Sequence, residues 1–212
     1  MGTRNLVCIQ NNNKIVVAKY CQWDGYPEGQ GAIILNFICN GFDRDLLEKK
    51  LEDLSEITDA EYKGLWVECG ADPESNLVNM EVSEKFEEKY PHLQRDMGGR
   101  LIEFIQDHEG ELKISSDASF SHNSLMCEYG YVVNLDDNTL DFFRGFNNDK
   151  PEKSIFFDPE TDEVNGGEFS DSDYFPIRLA DSYTFNEIIE QGVDRIVEKM
   201  KTSVRIIDGD EE

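Results

Sequence analysis

Basic residues are scarce in this chain. Lys and Arg number 20 against 45 Asp and Glu among 212 residues, which gives a formal net charge of −25 at pH 7. A nucleic-acid-binding surface needs clustered Lys and Arg to replace the counterions of the phosphates, so we expect no direct binding to DNA or RNA. So large a negative surplus permits binding to basic surfaces, and it is equally compatible with an ordinary member of an acidic proteome.

Catalytic and metal-binding patterns are also missing. The three histidines, His92, His108 and His122, stand in no metal-ligand spacing, and neither G-x-S-x-G nor S-x-x-K occurs. The five cysteines include no C-x-x-C pair, and their apolar surroundings predict buried free thiols. Cys127 follows His122 closely, but a thiol in an apolar strand is usually inert. The sequence therefore predicts no catalytic residue, no cofactor and no metal.

Long apolar runs are absent as well. No stretch approaches the ~18 consecutive apolar residues of a membrane span, and the first residues show no signal-peptide pattern. We therefore expect no membrane partner and a cytoplasmic location. Hydrophobic residues still make up 39 % of the chain, which favours a folded protein with a sizeable core. We expect one domain over residues 1–212, with a long acidic loop at 147–175 and a short acidic tail at 203–212.

The pattern of apolar residues predicts an α+β fold. Two strand pairs are expected over residues 4–23 and 125–144, with turns at Asn11-Asn12-Asn13 and Asp136-Asp137-Asn138. We expect an antiparallel sheet built from these two hairpins, with helices packed on it. Apolar spacing and capping residues such as Asp43 predict four helices, over residues 30–40, 43–54, 95–106 and 184–201. Weaker signals indicate a helix at 81–90, the start of a helix near 58–61 and a strand at 176–181.

The stretch from Gln22 to Gly31 joins the first hairpin to a helix and contains three glycines. Glycine usually stands where φ must be positive or where another group approaches the backbone. One interpretation is a tight structural turn. The other is a loop whose free N–H groups, at a helix start, hold an anionic, nucleotide-like ligand that is stored or hydrolysed. The ligand would contact Arg4, Lys19, Trp23, Asp24, Tyr26, Gly29 and Gly31.

The residues Gln-Trp-Asp-Gly-Tyr-Pro followed by Gly-Gln-Gly, within 22–31, resemble a family of uncharacterised phage and bacterial proteins. The resemblance continues at Arg-Asp-Met-Gly-Gly (95–99), at 127–136 and at 145–147, and so spans roughly residues 3–147. It implies a phage or mobile-element origin, hence the cytoplasm of the host cell if the chain is phage-encoded. It implies no activity.

Charge and resemblance together lead to a first hypothesis of function. The chain would be a non-enzymatic acidic binding protein, for example a phage-derived inhibitor that blocks a basic host defence protein by imitating nucleic acid. The residues expected to face this basic partner are Asp136, Asp137, Asp158, Glu160, Asp162 and Glu163. A small-molecule site at the glycine-containing loop is the second hypothesis, and a housekeeping enzyme of unknown chemistry is the third.

Overall fold

Nine strands and seven α-helices lie in the part of the chain that the computed structural model describes, namely residues 2–74, 78–158, 160, 163–164 and 174–209. The strands are β1 (Asn5–Asn11), β2 (Lys14–Cys21), β3 (Leu54–Glu56), β4 (Leu112–Ile114), β5 (Tyr129–Asn134), β6 (Thr139–Arg144), β7 (Phe157–Asp158), β8 (Glu163–Val164) and β9 (Arg178–Thr184). The helices are α1 (Ala32–Asn40), α2 (Arg44–Leu51), α3 (Asp59–Glu68), α4 (Met80–Lys89), α5 (Arg100–Asp107), α6 (Phe185–Gln191) and α7 (Val193–Asp208). A π-helical turn at Pro27–Gly31 precedes α1, and 3₁₀ turns lie at Pro91–Leu93 and Ala118–His122.

The main sheet has five strands in the order β2-β1-β5-β6-β9, and the predicted α+β class is confirmed. Both expected hairpins form, β1 with β2 and β5 with β6, and β9 adds an antiparallel edge strand. The hairpins join through β1 and β5, which run parallel from Asn5 opposite Tyr129 to Gln10 opposite Asn134. The sheet is thus mixed and only mostly antiparallel, because residues 22–128 cross over between the two hairpins.

Both faces of the sheet are covered. Successive residues of a strand point to opposite faces, so Val7 and Ile9 face one side while Leu6 and Cys8 face the other. The first side packs against α1, α5, α6 and α7, and the second against loop segments that include Phe156. This explains why β1 and β5 are buried along almost their whole length.

A third apolar cluster lies between α3, α4 and the turn that follows α4. Its buried residues are Ile57, Cys69, Val82, Phe86 and Leu93. Trp66, on α3, stacks on Phe86 with ring centroids 3.8 Å apart and planes 6° from parallel. The helix α3, whose Trp66 belongs to this cluster, lies close to β2, an edge strand of the main sheet.

Local capping signals place two helix starts as the sequence predicts. The Asp43 side chain accepts a hydrogen bond from Leu46 N–H at 3.0 Å and begins α2. Thr58 and Glu61 form a reciprocal capping box that begins α3. The predicted start of α5 at residue 95 is wrong, since Gly98 has φ of 53°, which a right-handed helix does not allow, and the helix begins at Arg100.

The predicted helix over 184–201 is two helices. Gly192, with φ of 77°, separates α6 from α7. α7 then continues through Asp208, so residues 203–208 of the expected acidic tail are helical, and Gly209 caps the helix in the left-handed conformation. The apolar face of α7 and the ion pair of Asp208 with Arg144, at 2.7 Å, hold this last part against the sheet.

The expected acidic loop at 147–175 contains some regular structure. β7 and β8 form a short antiparallel pair, and Phe156 and Phe157 are buried. The Phe156 ring contacts that of Phe143 at a centroid distance of 5.0 Å, which anchors the segment on the sheet. None of the helices in the described part of the chain has the length and apolar character of a membrane span.

Candidate functional site

The glycine-containing loop uses its own backbone groups internally. Gly29 N–H donates to Tyr26 O at 2.9 Å, and Gln30 N–H donates to Asp24 O at 2.8 Å. A side chain at position 29 would place its Cβ 2.1 Å from Asp24 O, and Asp24 itself has φ of 55°. These N–H groups are therefore already bonded and do not point to a bound anion.

Tyr131, on β5, contacts the loop at two further glycines. Its buried hydroxyl donates to Gly25 O at 2.7 Å, while Gly25 N–H donates to Thr3 O at 2.9 Å. A Cβ on Gly31 would lie 3.2 Å from the Tyr131 ring, closer than most side chains come. Gly31 thus lets the backbone approach a large buried ring, whereas a Cβ on Gly25 would lie 2.8 Å from Thr3 O and 2.9 Å from Asn5 Cβ.

Gln30 connects the loop to the glycine pair before α5. Its Oε1 accepts a hydrogen bond from Gly99 N–H at 2.8 Å, and its Nε2 lies 3.4 Å from Trp23 O. A Cβ on Gly98 would lie 2.2 Å from the same Oε1. We call residues 24–31, Gly98, Gly99 and Tyr131 the glycine cluster. Segments far apart in the sequence meet in it, and their glycines serve close packing.

The predicted ligand residues are only partly brought together. Trp23 and Tyr26 are 47 % and 39 % exposed, and Tyr26 hydroxyl donates to Asp24 Oδ1 at 3.1 Å. Lys19 is buried: its Nζ donates to Ser115 Oγ at 2.7 Å and to Leu93 O at 3.2 Å. The loop therefore does not gain a free ammonium from Lys19, and a ligand there stays a prediction without support from the geometry.

Lys19 instead ties β2 to its neighbours. Its Nζ lies 3.8 Å from Asp117 Oδ2, and that carboxylate also accepts Tyr20 N–H at 2.9 Å. Burial lowers the pKa of Lys19, and Asp117 offsets part of this change. Lys19 and Asp117 thus shape the wall of a groove that runs along the outer edge of β2.

This groove, which we name the β2-edge groove, consists of two lobes that share Tyr20, Ser116 and Asp117. The acidic lobe, of about 610 Å³, lies between β2 and the helices α3 and α4. The Arg4 lobe, of about 670 Å³, extends towards the start of β1. Tyr20 stands between them, and its ring meets Phe120 edge-on at 4.7 Å.

The acidic lobe combines carboxylates with aromatic rings. Its cations are Lys19, which is already bonded, and Arg95, whose Nε lies 3.9 Å from Asp96 Oδ1. Gln94 also lines the lobe, and its Nε2 is buried without a hydrogen-bond partner. The carboxylates are Glu56, Asp59, Glu87, Asp96 and Asp117, and the aromatic residues are Tyr20, Tyr62 and Trp66. Such a lining favours a cationic, hydrogen-bonding occupant.

The Arg4 lobe has a different character. Arg4 Nη1 contacts Met126 Sδ at 2.9 Å, and Nη2 lies 3.5 Å from Glu128 Oε1. Arg4 Nε and Asn123 Oδ1 are both buried and without a hydrogen-bond partner. Phe120 and Met126 supply the apolar part of the lining. Across the described ranges, no three His, Cys, Asp or Glu side chains gather as a metal site.

Comparison with known proteins adds no assignment. No family model, curated protein or solved structure matches this chain. The resemblance of residues 22–31 to phage proteins therefore stays a prediction, and the interpretation of the groove depends on its geometry.

Asp136, the first predicted partner residue, has a structural role. Its carboxylate accepts Asn12 N–H at 2.7 Å, Asn13 N–H at 2.8 Å and Gln10 Nε2 at 3.0 Å. Partial desolvation raises its pKa, but these hydrogen bonds outweigh it and lower the pKa overall. Asp136 thus joins the turns of the two hairpins, and its oxygens are not free for a partner.

The other predicted partner residues are dispersed. Asp137 accepts Asn134 Nδ2 at 3.1 Å, and Asp158 accepts Lys153 Nζ at 2.8 Å. Glu160 is exposed. Asp162 lies outside the described residues, and of Glu163 only the backbone, in β8, is described.

The sequence carries only a weak signal for the acidic lobe. Residues 52–111 hold 17 acidic and 5 basic residues over 60 positions, and residues 136–173 hold 12 acidic and 3 basic residues over 38 positions. The charged residues of α3 and α4 look like ordinary solvated helix faces, and only the fold turns Asp59 and Glu87 towards a common cleft. A count of charge by segment marks both regions as acidic and cannot locate the cleft.

Proposed function

We propose that this chain is a non-enzymatic binding protein that captures a basic segment of a partner protein in the β2-edge groove. The acidic lobe is the observation that carries the proposal. Five carboxylates border one concave cleft, and the two cations beside them, Lys19 and Arg95, do not balance their charge. A cleft lined by one sign of charge focuses the field and steers an oppositely charged partner into it.

Aromatic rings support the choice of a basic segment. Arg and Lys side chains bind well over the faces of Trp and Tyr rings, and nearby carboxylates strengthen the attraction. Trp66 and Tyr62 offer such surfaces beside Asp59 and Glu87. Trp, Tyr and Arg also contribute disproportionately to the affinity of protein interfaces. A guanidinium group of the partner would therefore gain both ionic and stacking interactions.

The expected biological setting follows from the resemblance to phage proteins. A phage-derived binder of this kind would occupy a basic surface of a host protein, in the manner of an inhibitor. Host proteins that bind nucleic acid, among them defence factors, present such surfaces. In this proposal the docking site is the β2-edge groove and not the Asp136–Asp137 turn, because the Asp136 carboxylate already accepts the N–H groups of Asn12 and Asn13.

The proposal is tested with a fluorescent peptide of alternating arginine and glycine, titrated with the protein and followed by anisotropy. Binding should weaken as salt rises from about 0.1 M to about 1 M, since the Debye length falls from roughly 10 to 3 Å. The double variant Asp59→Asn, Glu87→Gln should bind more weakly. At about 0.2–1 kcal/mol for each exposed ion pair, the loss is roughly 2- to 30-fold.

The matched control removes two exposed carboxylates on another part of the molecule, Glu190→Gln with Asp194→Asn in α6 and α7. It has the same net charge as the groove variant and should bind within about twofold of the unaltered chain. Equal losses in the two variants would show unspecific attraction to net charge and overturn the groove as the docking site. An affinity that does not change with salt would overturn the ionic basis of binding.

A further inference from the structure

We propose that the Arg4 lobe recognises a secondary amide, the main-chain peptide group of the docked segment, through Arg4 Nε–H and Asn123 Oδ1. The identity of the segment rests on the proposed function, whereas the amide chemistry rests on the lobe itself. A secondary amide has one C=O acceptor and one N–H donor. Arg4 and Asn123 both line the lobe, and each has a buried atom without a partner, a donor in Arg4 and an acceptor in Asn123, which match these two groups.

Arg4 is poorly satisfied for an arginine that is three-quarters buried. Its side chain is 24 % exposed, its Nη1 contacts the thioether of Met126, and its Nη2 reaches Glu128 only at 3.5 Å. A thioether sulfur is a weak acceptor, and 3.5 Å is at the limit of a hydrogen bond. Nε–H has no acceptor, and a carbonyl oxygen of a docked segment would supply one.

Asn123 presents its side chain from a fixed backbone. Its carbonyl accepts hydrogen bonds from Met126 N–H at 3.0 Å and from Cys127 N–H at 2.8 Å. Its Oδ1 is nevertheless buried and without a partner, which is uncommon for a polar atom in a folded protein. An N–H group arriving from outside would satisfy it.

The pairing of donor with acceptor argues for an amide over an ion. A carboxylate would leave Asn123 Oδ1 unsatisfied, since it only accepts, and an ammonium would leave Arg4 Nε–H unsatisfied, since it only donates. Met126 is 43 % exposed and flexible, so it can move aside and then cover an apolar side chain next to the amide. The acidic lobe would thus hold the charge of the segment, and the Arg4 lobe its backbone.

A direct test uses N-methylacetamide, an uncharged molecule with one C=O and one N–H, on the ¹⁵N-labelled full chain. The NMR signals of Arg4 Nε–H and of the Asn123 side chain should shift during the titration. Methyl acetate, which has a similar shape without the N–H, should shift them less. An Arg4 Nε–H signal that does not respond to N-methylacetamide, or responds equally to both molecules, would overturn the inference.

Two variants of one position sharpen the test. Asn123→Leu keeps the side-chain volume but removes the acceptor, and the response of Arg4 Nε–H to N-methylacetamide should fall. Asn123→Asp keeps an acceptor, and the response should persist. If Asn123→Leu responds as strongly as the unaltered chain, the assigned role of Oδ1 is wrong.

The two proposals fail in different ways. Asn123→Leu should weaken binding of the arginine–glycine peptide roughly 2- to 10-fold, the loss of one neutral hydrogen bond, without changing its salt dependence. The Asp59→Asn, Glu87→Gln variant should change that salt dependence and leave the N-methylacetamide shifts intact. If the peptide does not bind but N-methylacetamide still shifts the NMR signals, the proposed function alone is rejected. If the peptide binds but N-methylacetamide causes no NMR shifts, the amide site alone is rejected.

Discussion

Replacement of Gly29 by alanine tests whether the glycines of the glycine cluster serve packing and not ligand binding. The new Cβ would lie 2.1 Å from Asp24 O, and real Cβ atoms essentially never approach closer than 3.0 Å. The backbone must therefore move by about 1 Å. The carbonyl that moves is the one that accepts Gln30 N–H at 2.8 Å, so this hydrogen bond is lost or weakened.

The expected cost is the sum of these two effects. Overpacking typically destabilises by about 1–3 kcal/mol, and a hydrogen bond contributes about 1 kcal/mol. Gly29→Ala should therefore lower the free energy of unfolding by about 2–4 kcal/mol. For a chain of this length, that is a fall in Tm of about 4–16 °C.

Urea unfolding followed by tryptophan fluorescence measures the effect, and Gly64→Ala is the matched control. Gly64 lies within α3, and a Cβ there would meet no atom within 4 Å. Alanine is favoured over glycine in a helix by about 1 kcal/mol, so this variant should be as stable as the unaltered chain or more so.

The two substitutions add the same methyl group and differ only in what surrounds it. A stability of Gly29→Ala within about 0.5 kcal/mol of the unaltered chain, the usual range of harmless surface changes, would refute the reasoning. The loop would then have room at Gly29, and a ligand there would again become the better explanation of the glycines.

Three further predictions concern other parts of the fold. Tyr131→Phe leaves Gly25 O buried without its 2.7 Å donor, so urea unfolding should show a loss of about 1–3 kcal/mol. The Lys113 ammonium and Thr58 lower the pKa of Glu61 from 4.5 to about 2, so the stability it supplies is complete above pH 4.5 and lost as pH falls towards 2. Glu61→Gln should therefore flatten the acid side of a stability–pH profile. Cys39 is the one cysteine that is not fully buried, so mass spectrometry should find it modified first by iodoacetamide in the native protein.

Signals that act over a few residues could be read from the sequence. Asn12 and Asn13 adopt positive φ in the first hairpin turn, as asparagine in this context predicts. Asp43 caps α2, and Thr58 begins α3, because a capping side chain bonds the backbone only three residues ahead. The class of fold followed from these elements and from the two hairpins.

Interactions between distant residues were not predictable in the same way. The parallel pairing of β1 with β5 brings Asn5 opposite Tyr129, and no local pattern encodes it. The start of α5 was misplaced because Gly98 is held in the left-handed region beside Gln30. The sequence offered both interpretations of the glycine-containing loop, and the contacts of Tyr131 and Gln30 favour the structural one.

The amino-acid order alone determined the α+β class, the acidic character and the position of most helix and turn boundaries, since each depends on composition or on neighbours along the chain. Tertiary structure decided which charges share a surface. The exposed Asp136 carboxylate fastens the turns of two hairpins, while Asp59, Glu87 and Asp117, far apart in sequence, border one cleft. The physical reason is that charge acts through space, and only the folded chain sets those distances.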